Sequence, residues 1–254
     1  MRLLKTIFVV GFFALCGAFF LGTGVAHADN CNLTPADFAE ITAIQNNPTL
    51  TALDEVKQEL AVRKDLVSQT IMCAQADVAT LQSSLNAATT TTSDAANLQT
   101  ALSGKLDDAN NFYNLELTKL NGAGISGTES IAKDVLAWRE GSYEPLAGEV
   151  NNFILWSENQ SLFATAENRM QQTEQTVSFL EGASGNTDLQ NAFSAAQTSF
   201  NAAEAENTQA QNALTQFLPA DQSLALIQQS LNSLSETYQQ FFALSTIVNN
   251  LLSH

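Results

Sequence analysis

Gly122-Ala123-Gly124-Ile125-Ser126-Gly127 is the string most suggestive of chemistry. It has the G-x-G-x-x-G spacing, in which glycines let the backbone close on a pyrophosphate at a helix N-terminus. That site needs a β-strand before the first glycine. Here the upstream apolar spacing is helical, so the string reads as a loop between helices, with glycine supplying left-handed backbone.

The other catalytic residue types are scarce or scattered. His27 and His254 are the only histidines, one in an expected leader and one at the last position. No Ser–His or Cys–His relay can therefore be assembled inside the fold. H-E-x-x-H and C-x-x-C are absent, and no loop has the D-x-D-x-D-G character that calcium favours. The carboxylate groupings (Asp54, Glu55 and Glu59; Asp107 and Asp108; Glu140 and Glu144; Glu204 and Glu206) read as solvated helix faces. The expectation is a protein without catalytic residues, metal or cofactor.

Charge narrows the partners. All 26 acidic residues lie beyond residue 28, as do eight of the 10 basic ones, giving −18 for that stretch. No Lys or Arg follows Arg169. Nucleic acid needs cations against its phosphates, and so does an anionic lipid surface, so neither fits. Only 14% of residues are charged, so most polar surface must come from Gln, Asn, Ser and Thr.

The first residues look like an address. Arg2 and Lys5 precede an apolar run over residues 7–21, and Val25-Ala26-His27-Ala28 has a small-x-small end. That pattern predicts a cleavable signal peptide over residues 1–28 and a mature chain from Asp29. Leu15 before Cys16 speaks against lipid attachment at that cysteine. Nothing later is apolar enough to cross a bilayer, so no integral membrane segment is expected after cleavage. Cys31 and Cys73 then remain, an even count that in an exported chain predicts one disulfide. A short helix over 34–46, folded back along the next, climbs roughly 20 Å. The residues before it add about 10 Å when extended. Cys73 lies roughly 36 Å along the second helix, so the two reaches nearly match.

The elements that must position these residues are helical almost throughout. The predicted spans are 34–46, 49–88, 94–120, 128–181 with a break near Pro145, 187–217 and 220–253. Thr34 with Pro35, Ser93, and Ser126 with Glu129 are predicted to start helices. The expected seam of the second helix runs Leu53, Val56, Leu60, Val67, Ile71, Ala74, Val78, Leu81, Leu85. That of the last runs Leu224, Ile227, Leu231, Leu234, Tyr238, Phe241, Ser245, Val248, Leu252. No glycine stops the chain at Leu218-Pro219 and the seam phase runs through it, which slightly favours a kink over a turn. No segment alternates as a strand would. The expected fold is all-α: one domain over 29–254, an elongated antiparallel helical bundle or set of coiled-coil hairpins, with one short N-terminal helix folded back.

One aromatic grouping stands out. Trp138 and Trp156 flank Pro145, with Tyr143 and Phe153 between them. Eighteen residues is five turns, so an unbroken helix would put both tryptophans on one face. The four are candidate partner-binding residues, against core filling beside a kink as the plainer reading. The function expected is that of an exported, non-enzymatic structural or protein-interaction protein of a bacterial cell envelope or surface, periplasmic or secreted. It would bind a protein partner or self-associate. The alternatives are a secreted membrane-active helical toxin or effector, and a bundle that binds a small ligand.

Overall fold

The computed structural model describes residues 35–184 and 187–251, and every element among them is helical. In order they are α1 (Pro35–Gln45), α2 (Ala52–Ala87), α3 (Ser93–Gly122), α4 (Ile125–Trp138), a π turn (Arg139–Tyr143), α5 (Glu144–Ser184), α6 (Thr187–Thr215) and α7 (Ala220–Leu251). The all-α expectation holds, with packed helix pairs and boundaries mostly within three residues of those predicted. The expected leader and its cleavage point, Cys31, Thr34, Leu252 and His254 lie outside the described residues.

Local chemistry explains where the helices begin and end. At α2, Asp54 N–H donates to Thr51 Oγ1 at 3.2 Å, while the Thr51 hydroxyl donates to Asp54 Oδ2 at 2.6 Å. This reciprocal cap satisfies backbone that the first turn cannot. α3 is capped by Thr92 rather than Ser93, through Ala95 N–H to Thr92 Oγ1 at 3.2 Å. α4 starts three residues earlier than predicted. Ser126 is already helical, so its capping box with Glu129 does not form, and Thr128 N–H bonds back to Gly124 O at 2.8 Å. Gly122 ends one helix and Gly127 lies inside the next, so the G-x-G-x-x-G string is interhelical.

The chain does not kink at Pro219; it turns. Phe217 takes φ 52°, a left-handed conformation that a bulky residue rarely adopts. Phe217 N–H reaches Leu214 O and Leu218 N–H reaches Ala213 O. Those two bonds form a Schellman motif, normally built on glycine. The absence of glycine is why the kink was favoured from sequence.

The described residues group into two compact units. One comprises residues 35–80 with Tyr113–Ala132; the other comprises Leu81–Phe112 with residues 133–251. α2 and α3 contribute to both. In the first unit, Ile71, Ala74, Val78, Tyr113, Leu120 and Ile131 are buried. Buried Glu59 accepts from Arg63 Nε at 2.7 Å and from Gln45 Nε2 at 3.1 Å. Arg63, at the seam position between Leu60 and Val67, is therefore held as the partner of a carboxylate. Leu53 and Val56 were expected in that seam, yet they are 62% and 49% exposed.

In the second unit α5, α6 and α7 pack pairwise. Gln160 on α5 meets Asn207 on α6, and Ser233 on α7 meets Glu206 on α6, so neighbours along the chain run antiparallel. Their shared core is Phe163, Ala166, Met170 and Val177 from α5, Leu189, Phe193, Ala196, Phe200 and Ala203 from α6, and Leu234 and Leu244 from α7. A Cβ on Gly148 would come 2.9 Å from the Ala220 Cβ, so α5 approaches the start of α7 too closely for any larger residue.

Candidate docking groove at the π turn

The departure predicted at Pro145 is a widened turn rather than a break. Glu144 N–H donates to Arg139 O, five residues back, and the backbone stays right-handed helical on both sides. Pro145 has no N–H to offer the carbonyl four residues before it, so a standard turn would lose that bond. The five-residue spacing carries the chain past this position. Such π turns are uncommon and often accompany functional sites.

The extra residue resets the helix face. One added residue rotates the downstream helix by about 100°, so Trp138 and Trp156 do not share a side. Trp156 is buried at 3% exposure and packs against Phe153, which is wholly enclosed. Tyr143 is buried too, with the Arg139 guanidinium 5.6 Å from its ring centre. Three of the four partner-binding candidates are therefore interior residues. Trp138 alone reaches the surface. It is half-buried and stacks on Phe112 of α3, with ring centres 4.3 Å apart and planes 14° from parallel. The stack fixes the indole, so it is rigid without being enclosed.

Beside that indole lies an open groove of about 220 Å³. Lys105 and Asp108 of α3 line one wall, Ser142 and Glu149 the other, with Trp138, Pro145 and Leu146 as the apolar part. Lys105 Nζ sits 3.3 Å from Glu149 Oε2 and 3.4 Å from the centre of the Phe217 ring. The left-handed Phe217 thus presents its ring to a cation that also closes an ion pair. On the π turn, Arg139 lies 3.7 Å from Glu144. Lys105 and Glu149 were not singled out from sequence, and Asp108 was read with Asp107 only as a solvated face. They lie on two helices some forty residues apart in the chain, and only packing brings them together.

A second polar feature sits in the interior. Asn152, buried, donates to Ala220 O at 2.6 Å and to Ser223 Oγ at 2.9 Å. Ser157 is buried and donates to Thr89 O. Asn159, 2% exposed, has neither amide atom hydrogen-bonded to the protein, and neither is Trp156 Nε1. Among the described residues no group of His, Cys, Asp and Glu could hold a metal ion, and no helix is long and apolar enough to cross a membrane. Cys73 is half-buried on α2; Cys31, its expected partner, is outside the described residues.

No protein-family model, no curated protein and no solved structure matches this chain.

Proposed function

We propose that this is an exported, non-enzymatic protein-interaction module of a bacterial cell envelope, and that it docks a protein partner in the groove at the π turn. One observation carries the reading: a rigidly stacked, half-exposed tryptophan lines an open groove at the single π turn among the described residues. Aromatic side chains held in one rotamer make strong interface anchors because little entropy is lost on binding. The exported location is supported by the leader-like residues 1–28, and the disulfide between Cys31 and Cys73 by their number and spacing.

The test places a photo-crosslinking amino acid at Ser142, an exposed position on the groove wall, in the native host. Adducts that form at Ser142 and vanish with Trp138→Ala, in a variant whose circular dichroism is unchanged, support the reading. Adducts indifferent to Trp138, or none from this face while others crosslink, refute it. Trp156→Ala is the structural control. It should cost about 3 to 5 kcal/mol of stability, as deletion of a buried aromatic does.

A further inference from the structure

We infer that the segment seated in this groove is basic and amphipathic: an apolar side chain against Trp138, Pro145 and Leu146, followed by an Arg or Lys that meets Asp108. This rests on the docking reading above and adds the partner's chemistry to it.

The argument is charge complementarity. Lys105 is the one cation lining the groove, and it is committed to Glu149 and to the Phe217 ring. Arg139 on the π turn is likewise paired, with Glu144. The remaining lining charge is Asp108, an exposed carboxylate on α3. Asp107 and Glu140 are exposed as well and belong to the same stretches of α3 and π turn. A cation arriving here finds Asp108, whereas an anion finds three exposed carboxylates and an ammonium that, though 42% exposed, already faces Glu149. The apolar part supplies the second half of the recognition. An indole face backed by Phe112 offers dispersion contact to an aliphatic or aromatic side chain and attraction to a neighbouring guanidinium.

The same charges weigh against other occupants. A second copy of the chain brings a net charge of −18 over residues 29–254 to this acidic rim, so like charge opposes self-association through this face. Phosphate backbones and anionic lipids are repelled for the same reason. A small polyamine would satisfy Asp108 but would leave Trp138, Pro145 and Leu146 uncovered.

The test uses the full exported chain and two labelled twelve-residue peptides, one of alternating Leu and Arg pairs and one with Glu in place of every Arg. Binding is read by fluorescence anisotropy. The Arg peptide should bind at least tenfold tighter than the Glu peptide and weaken as salt rises. Asp108→Asn should weaken the Arg peptide about fivefold, and Trp138→Ala should weaken it tenfold or more. Removing remote carboxylates with Asp188→Asn and Glu236→Gln should change it less than twofold, which separates the groove from bulk acidity. Equal binding of the two peptides, indifference to Asp108→Asn, or full competition by spermidine overturns the basic-partner inference. Each of these leaves the Ser142 crosslinking result, and so the docking reading, standing. A dimer in sedimentation that Trp138→Ala dissolves also overturns the inference, in favour of a second copy. Failure of both peptides to bind, with no adducts at Ser142, removes the docking reading itself.

Discussion

Asn159→Leu should stabilise this protein. The residue is 2% exposed, and neither its Oδ1 nor its Nδ2 finds a hydrogen-bond partner in the protein. A buried polar atom left unsatisfied costs about 1–3 kcal/mol. Leucine has the same branching at Cγ and removes both atoms, though its larger methyls bring some overpacking cost, of order 1–3 kcal/mol in a tight site. Relief of two such atoms, Oδ1 and Nδ2, outweighs that cost. The net expectation is a gain of about 1–3 kcal/mol. For a chain of this size that is roughly 2–4 °C in Tm for each kcal/mol. Asn152 supplies the contrast one heptad earlier on the same helix. Its amide bonds Ala220 O and Ser223 Oγ, so Asn152→Leu removes two buried hydrogen bonds and should destabilise by about 1–3 kcal/mol, although Ser223 Oγ still reaches Ala220 O at 3.2 Å. Asn159→Asp buries a charge and should lose the most at neutral pH. Urea unfolding followed by far-ultraviolet circular dichroism measures all three. If Asn159→Leu is as damaging as Asn152→Leu, the Asn159 amide is satisfied in solution and the reasoning fails.

Three further outcomes are expected. Gly148→Ala should destabilise by about 1–3 kcal/mol despite alanine's better helix propensity, because the new methyl would lie 2.9 Å from the Ala220 Cβ; thermal melts check it, and a rise in Tm would mean that the helices separate easily there. Burial and the facing Glu167 carboxylate push the Glu204 carboxyl above its ordinary 4.5, so its contribution to stability is full below that value and is lost as pH rises through the raised one; Glu204→Gln should flatten this part of the pH–stability profile and raise Tm slightly at pH 7, within about 0.5 kcal/mol at so exposed a site. Mass spectrometry of exported protein should find Asp29 at the N-terminus, and non-reducing peptide mapping should find Cys31 joined to Cys73; an intact Met1 or free thiols would count against export processing and the staple respectively.

The helices were legible because their signal is redundant. A seam such as Leu98, Leu102, Leu106, Ala109, Tyr113 repeats the same period many times, and all five residues are buried. The seam of α7 shows how far that signal reaches. Its period was right, and Ile227 and Leu234 are buried, but Leu224, Leu231, Tyr238 and Phe241 are only half-buried and Ser245 is exposed. The most enclosed column instead runs Ser223, Ser230, Thr237, Leu244, seven residues apart. Small hydroxyl residues can sit there because they bond within the bundle. Ser230 Oγ donates to Ile227 O, Thr237 Oγ1 to Ser233 O, and Ser223 Oγ accepts from Asn152. A reading that ranks positions by hydropathy passes over such a column, because the property that buries it is hydrogen bonding and small volume.

The groove was half legible for a related reason. Pro145 announces a missing N–H, which is a local fact, so the sequence located the departure from regular helix. It could not say whether the chain would break or widen. That depends on whether the flanking helices hold their direction, and Tyr143, Leu146 and Val150, all buried, anchor the stretch on the far side of the turn. Once the turn widens, the one-residue phase shift separates the two tryptophans. Core filling, the plainer reading of the aromatic cluster, then accounts for Tyr143, Phe153 and Trp156. Trp138 is left at the surface, with Phe112 behind it and Lys105 and Asp108 beside it, all three from α3. Phe112 and Lys105 carried no mark in the sequence, and Asp108 stood out only as half of a solvated acidic pair, since a site assembled across helices leaves no periodic trace in either one. The left-handed Phe217, whose ring meets Lys105, belongs to the same class. Its conformation is offset by a Schellman pair and a cation that sequence alone does not bring together.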